Sequence, residues 1–381
     1  MNETMQQLER SEGYLAIDPA NQELLARVID LSLAAGQHER AARHAQAALE
    51  RFPGDGFFLA RMGTVHLAGQ RWVEAATVFE GLLAQYADIN LSYNLAYAYQ
   101  WQGRHADALS AMSAYVDAPE LTPDMVTLLV RVLHHLGEGE RAIALAQARM
   151  AHCEGDAAFL AATSLVCLDV GELEQAEQLS AAALALGQQQ GQGKAQVEAL
   201  VVGGSLALAR TDSDTAIARF QQVLAQNPRE GRSWSGLGTA SLLKRDLPAA
   251  QQQLEQAVAL MPTHIGTWHL LGWSRILGRQ VDRARAAFET ALGLDRNFGE
   301  SHGGMAVVLA LQGEREQAEA AIARAIGLDP EGLAARYAQM ILSGQTEDPV
   351  RFRALAGRLL SSRQGAFGQN LGELLEKYET K

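Results

Sequence analysis

Two cysteines in 381 residues, Cys153 and Cys167, are too few to staple a fold, and both read as reduced, packing thiols. No stretch reaches 18 unbroken apolar residues, so no transmembrane helix is expected. The opening MNETMQQLERSEGYLAIDP has acidic residues and lacks an apolar core of signal-peptide length; a soluble, cytoplasmic protein is expected. Lysine occurs only at 194, 244, 377 and 381 among 32 basic residues, a skew that points to a G+C-rich bacterial genome and carries no mechanism. Aromatics are scarce at 6%, and with many Ala, Leu, Gln and Glu this fits an all-helical chain. The net charge of −12 and pI near 5.3 argue against a nucleic-acid or anionic-membrane binder, because a negative surface repels phosphate.

What the chain does have is a ladder. Alanines at 41, 75, 108, 142, 176, 216, 250, 284 and 318 recur every 33 or 34 residues, with one step of 40. A fixed period of this size marks a repeat array, in which each unit buries its apolar face by stacking on its neighbours. Around each alanine lies a helix of about a dozen residues, a short break, and a second helix carrying the alanine. The breaks hold Gly36, Gly69, Gly103, Gly137, Gly171, Gly278 and Gly313, each expected to take positive φ and reverse the chain. Pro53, Pro228, Pro262 and Pro330 close four second helices.

Written from Gln22, Gly56, Ile89, Pro123, Ala157, Val197, Gly231, Ile265 and Gly299, the units resemble the tetratricopeptide repeat family. Trp234, Leu237, Gly238, Ala250, Ala257 and Pro262 carry the likeness in one unit; Trp268, Leu271, Gly272, Ala284, Phe288 and Ala291 carry it in the next. Gly63, Gly204, Gly238 and Gly272, with Ala96 and Ala306, stand where the two helices of a hairpin cross closely. The middle departs from the pattern: Val130 and Ser164 replace the small crossing residue, and Arg149 occupies a usual Ala position. The resemblance spans roughly residues 22–332 and implies an all-α, right-handed α-solenoid of about nine helical hairpins. It says little about function.

The expected organisation is an N-terminal capping half-repeat over 1–21, repeats one to five over 22–185, a Gln/Gly-rich break or hinge over 186–196, repeats six to nine over 197–332, and C-terminal capping helices over 333–381. The break is read either as a longer helix and loop without a role or as a hinge. Asn2 to Ile17 forms the N-terminal cap, and Leu333 to Leu342 begins like a tenth unit. Asp348-Pro349 then opens a helix to about Ser362, and a last helix covers about Asn370 to Tyr378.

Chemistry is sparse. There is no HExxH, no GxxxxGK[ST] and no CxxC, and no GxSxG nucleophile elbow, enzyme, metal or cofactor is expected. The adjacent His134-His135 point about 100° apart on a helix and cannot chelate one ion from one face. His264, His269 and His302 lie on adjacent hairpins without ligand-spaced partners and read as surface histidines. The runs GLG and SHGG are explained by packing.

In the family the resemblance implies, inward residues of each first helix line a groove, at repeat positions 2, 5, 6, 9, 12 and 13. Here they give Phe57, Arg61 and Thr64 in repeat two; Asn90, Tyr93, Asn94, Tyr97, Gln100 and Trp101 in repeat three; and Arg131 and His134 in repeat four. Aromatics with polar tips, plus Asn and Arg, suit an interface, and Asn can hydrogen-bond a peptide backbone. The same aromatics can instead fill gaps between Ala-rich helices, and both readings stay open. The Lys and Asn set with which chaperone-binding members grip a carboxylate is not reproduced. A second groove, from Ser205, Arg232, Ser235, Thr239, His269, Trp273, Glu300 and Val307, is read either as a seat for a helix anchored on Trp273 or as one in which Trp273 packs against the next repeat.

The expected function is therefore a non-catalytic protein-protein interaction scaffold or adaptor that holds a peptide or helical segment of a partner, aiding assembly, secretion or regulation. The alternatives are an oligomeric scaffold self-associating through its terminal helices, and a non-catalytic subunit presenting substrate to a separate enzyme such as a glycosyl or sulfo transferase.

Overall fold

A computed structural model describes residues 3–191 and 196–348. Within them every regular element is helical. The chain divides into two compact units, residues 1–166 and 167–381. The first holds α1 (Glu3–Ile17), α2 (Gln22–Ala34), α3 (His38–Arg51), α4 (Gly56–Ala68), α5 (Trp72–Leu83), α6 (Ile89–Trp101), α7 (His105–Met112), α8 (Pro123–His135) and α9 (Gly139–Cys153), and α10 (Ala157–Val170) begins in it. The second holds α11 (Leu173–Gln189), α12 (Val197–Ala209), α13 (Ser213–Gln226), α14 (Gly231–Leu243), α15 (Leu247–Leu260), α16 (Ile265–Leu277), α17 (Val281–Leu294), α18 (Gly299–Leu311), α19 (Arg315–Leu328) and α20 (Leu333–Leu342). The helices proposed for 349–362 and 370–378 lie outside the described residues.

Local chemistry sets both ends of the first helices. Asn21, Asp55, Asp88 and Thr122 cap α2, α4, α6 and α8, each side chain accepting a backbone N–H of the first turn. At the other end the chain reverses through one left-handed residue per hairpin. These residues are Gly36, Gln70, Gly103, Gly137, Gly171, Thr211, Arg245, Arg279 and Gly313, with φ between 57° and 90°. The next N–H reaches back five residues, as in Arg71 to His66 at 2.9 Å and Gln280 to Arg275 at 2.8 Å, so each hairpin closes with a Schellman turn. Gly69 and Gly278, expected at positive φ, instead sit at −83° and −80° as the last helical step. The left-handed place falls one residue later, on Gln70 and Arg279.

The ladder alanines form the spine. All nine are 0% or 1% exposed, where a larger side chain would push the paired helices apart. Within the second unit a bond recurs at intervals of 34 residues. Trp234 Nε1 donates to the Pro228 carbonyl at 2.9 Å and Trp268 Nε1 to that of Pro262 at 2.8 Å. His302 Nε2 donates to Arg296 O at 2.9 Å, and Arg336 to Pro330 O at 3.4 Å. A ring or guanidinium in the first helical turn thus satisfies a carbonyl of the preceding loop.

Two irregularities have local causes. Helix α7 is short and ends in a 3₁₀ turn, Ser113–Tyr115. Arg149, out of place by the repeat pattern, donates to Ala118 O at 3.0 Å and so supplies a donor to the loop that follows that turn. The 40-residue step is taken up in part by α11, which continues through residues 186–189 to Gln189. At the N-terminus α1 is tied to α3 by Glu12, which pairs with Arg40 and lies 2.8 Å from His44 Nε2. The hydrogen bond from Arg40 holds the Glu12 carboxyl below its usual range.

The end of the second unit is packed differently. Of the two helices that precede it, a first helix such as α4, α14 or α18 packs more on the second helix than on the first; α20 reverses this, lying mainly along α18 and less on α19. Its Ala338 is buried with Ala306 and Val307, while Ile341 and Leu342 cover Met305 and Leu309. Helix α18 is apolar almost all round as a result, which suits a helix covered on every side.

Candidate protein-interaction surface

In the first unit the first helices α2, α4, α6 and α8 neighbour one another in sequence order. Along α6, Tyr93, Tyr97 and Trp101 follow one another at i, i+4 and i+8 and so fall on one face. Ring centroids are 6.3 Å apart for both steps. A fourth ring joins them from the start of α5: Trp72 stacks on Trp101 at 5.5 Å and 12° and meets Tyr97 edge-on at 6.1 Å. Gln102 Nε2 donates to the Trp72 carbonyl at 3.0 Å, tying that residue's backbone to the end of α6. Trp101 remains 58% exposed, and Tyr93 and Tyr97 are half-buried. Burial, followed by Asp124 of α8, pushes the Tyr93 hydroxyl up to about 12, with Arg131 opposing, so it stays protonated at neutral pH.

The other expected residues of this face differ in their engagement. Phe57 is half exposed and lies under the Arg61 guanidinium at 3.9 Å. Arg61 reaches across to Asp30 of α2 at 2.9 Å, so its charge is already paired. Asn90 is exposed and Asn94 half-buried beside the tyrosines. Arg131 and His134 are half-buried on α8 and engaged within the protein. The Thr64 hydroxyl donates to its own helix, at Ala60 O. The Gln100 Oε1 is buried with no hydrogen-bond partner in the protein.

The tetratricopeptide repeat family matches the sequence over residues 29–88, 93–152, 202–264 and 270–339, more than half of the chain. The chain belongs to the tetratricopeptide repeat family. No curated protein matches it. Among solved structures it is similar to a tetratricopeptide repeat protein of Parabacteroides merdae ATCC 43184, at 16% identity and TM-score 0.47, covering 66% of this chain and 97% of that one. It is also similar to YrrB, described as a TPR protein with an unusual peptide-binding site, at 20% identity and TM-score 0.40, covering 51% and 97%. A double mutant of MamA matches at 19% identity and TM-score 0.35, covering 46% and 94%. Proteins of this family serve as protein-interaction scaffolds, and among the described residues no helix is long and apolar enough to cross a membrane.

Within the tetratricopeptide repeats of the second unit, the expected groove residues are largely used by the chain itself. Trp273 packs on Phe288 at 5.9 Å and meets Tyr337 of α20 at 6.4 Å. Val307 lies beneath α20 with no exposure. Arg232 makes a two-pronged pair with Asp169 at 2.7 and 3.0 Å. His269 sits between Phe288 and Phe298 with its Nε2 2.7 Å from the Ser301 hydroxyl, and burial lowers its pKa to about 4. His264, expected as an idle surface residue, caps α16: its Nδ1 accepts from Thr267 N at 3.2 Å. His302 likewise has a structural bond, to Arg296 O.

Sequence reading overlooks two things. Gly299-Glu300-Ser301-His302-Gly303 has the GxSxG spacing of a nucleophile elbow, and Ser301 faces His269. Its setting is the first turn of a helix rather than a strand-to-helix turn, and Ser301 is 0% exposed, so the pair is a packing contact. The other omission is Trp72, together with His105, which stacks on His135 at 4.4 Å and 10°. Both are first residues of second helices, each three before a ladder alanine, and candidates drawn from first helices alone exclude them. Their spacing from Ala75 and Ala108 is the signal that finds them.

Proposed function

We propose that this chain is a non-catalytic adaptor that binds a peptide segment of a partner protein on the α4–α6–α8 face of its first unit, working in the cytoplasm. One observation carries the reading: four aromatic rings, Trp72, Tyr93, Tyr97 and Trp101, form one connected stripe that ends on a largely exposed indole. Burying such rings supplies the large apolar area that anchors an interface, and Asn90 and Asn94 beside them offer both donors and acceptors to a main chain. Rings needed only as filler would be enclosed, and Trp101 is open.

The test is affinity copurification with mass spectrometry, comparing the native chain with a Tyr93→Ala, Asn94→Ala, Tyr97→Ala variant of matched helicity and melting behaviour. A partner recovered with the native chain and lost from the variant supports the site. Equal recovery of every partner removes it.

A further inference from the structure

The hydrogen-bond chemistry of the stripe narrows the kind of peptide it fits. The two tryptophans of the second unit that belong to the repeat pattern spend their N–H groups on loop carbonyls, at Pro228 and Pro262. The stripe is different. Among the described residues, no protein acceptor takes the indole N–H of Trp72 or Trp101, and no protein group pairs with the hydroxyl of Tyr93 or Tyr97. An indole N–H can only donate. The surface therefore combines flat apolar faces with two indole N–H groups that have no acceptor of their own, beside hydroxyls and Asn amides that can donate or accept, and it suits a ligand that is apolar and rich in acceptors.

An ordinary extended segment brings one N–H per residue and must find an acceptor for each it buries. Proline brings a carbonyl and no N–H, and a run of prolines holds those carbonyls outward in a preformed left-handed helix that loses little entropy on docking. The dimensions agree: Tyr93 to Trp101 is eight helical steps, about 12 Å, and polyproline advances 3.1 Å per residue, so about four residues span the stripe.

We infer that the stripe of Trp72, Tyr93, Tyr97 and Trp101 is a receptor for a proline-rich segment in the polyproline conformation. This rests on the adaptor reading and specifies its ligand.

The experiment is fluorescence anisotropy on the full chain with a labelled oligoproline of about ten residues and a counterpart in which alanine replaces proline. Trp101→Ala removes the exposed ring, and Tyr97→Phe keeps the ring and deletes only the hydroxyl; both are first matched to the native protein in helicity and melting. The oligoproline is expected to bind about tenfold or more tighter than its counterpart, with about a tenfold loss in Trp101→Ala and a smaller loss in Tyr97→Phe. Equal binding of the two peptides, no binding of the oligoproline, or indifference to both substitutions overturns the inference. If oligoproline fails while copurification still finds a partner dependent on Tyr93, Asn94 and Tyr97, the proline assignment falls and the adaptor reading stands. If that partner is absent too, both fall.

Discussion

A Cβ on Gly272 would stand 2.7 Å from Phe288 Cζ, and one on Gly304 would stand 2.3 Å from Cε1 of the same ring. Phe288 is thus seated between two successive first helices, with each glycine making room for one side of it. Phe220 is held in the same way by Gly204 at 2.7 Å and Gly236 at 2.4 Å. The aromatic of one repeat is the wedge that sets the distance to the next, which is how a one-dimensional array gains stability from neighbour contacts.

Gly272→Ala should therefore destabilise the second unit, although alanine is the better helix former by up to about 1 kcal/mol. Overpacking against a ring with no space to retreat costs about 1–3 kcal/mol. Gly293→Ala is the control: it lies in α17, is exposed, and a Cβ there meets nothing within 4 Å. It should be neutral or stabilising by up to about 1 kcal/mol. Urea unfolding of the two variants against the native chain checks both signs, and a stabilised Gly272→Ala would refute the wedge.

A second prediction concerns the hairpin turns. Arg279 is exposed and holds φ at 57°, a conformation that crowds its own Cβ. Glycine adopts this conformation without strain, at the expense of more backbone freedom lost on folding. Arg279→Gly should stabilise the second unit by about 0.5–1 kcal/mol and raise its melting temperature. Arg279→Val, β-branched at the same φ, should lower it. Differential scanning calorimetry reads both.

The αL ladder also shows how much of this fold is legible in sequence. The period, the helix pairs and the crossing glycines are all visible, because they depend on residues that repeat. Which residue of the turn goes left-handed is not, since Gly69 and Gly278 mark the turn without occupying its special position. Nor is the size exchange at the helix crossing. Where the first helix offers Gly63 or Gly272, the residue 16 places on is Phe79 or Phe288; where it offers Val130, the counterpart is Ala146, buried as fully. The departure at Val130 is therefore a pair with the sizes redistributed. In the candidate site, α6 is readable from its own spacing, and Trp72 joins it only through tertiary packing.

The pH dependence of the second unit should report on His269. Burial among Phe288, Phe298 and α18 favours its neutral form and lowers its pKa to about 4. Its value in the unfolded chain is about 6.5, so the unfolded state binds the extra proton between these limits. Stability is then full above about pH 6.5 and falls as pH drops toward 4. At pH 5 the loss from this group is at most about 2 kcal/mol. His269→Gln should flatten the difference between unfolding free energies at pH 7 and pH 5, and an unchanged difference would show that the imidazole titrates freely in the folded protein.

The last prediction addresses α20. As the final described helix it has no second helix of its own hairpin among the described residues, so its hold depends on the apolar seam with α18 and on Tyr337 against Trp273. Ala338 lies in that seam with no exposure. Ala338→Asp places a carboxylate where nothing compensates it, which costs several kcal/mol if the helix stays docked. Among the described residues α20 packs chiefly on two helices, α18 and α19, so its detachment is favoured over unfolding of the array. The expected signs are rapid proteolysis between Asp329 and Leu342 and a red shift in tryptophan emission as Trp273 gains water, while the melting of residues 1–166 is unchanged. Tyr337→Ala should give the emission change with slower proteolysis, because it uncovers the indole without burying a charge. If Ala338→Asp instead melts the whole second unit in one step, α20 is part of its cooperative core rather than a separable cover.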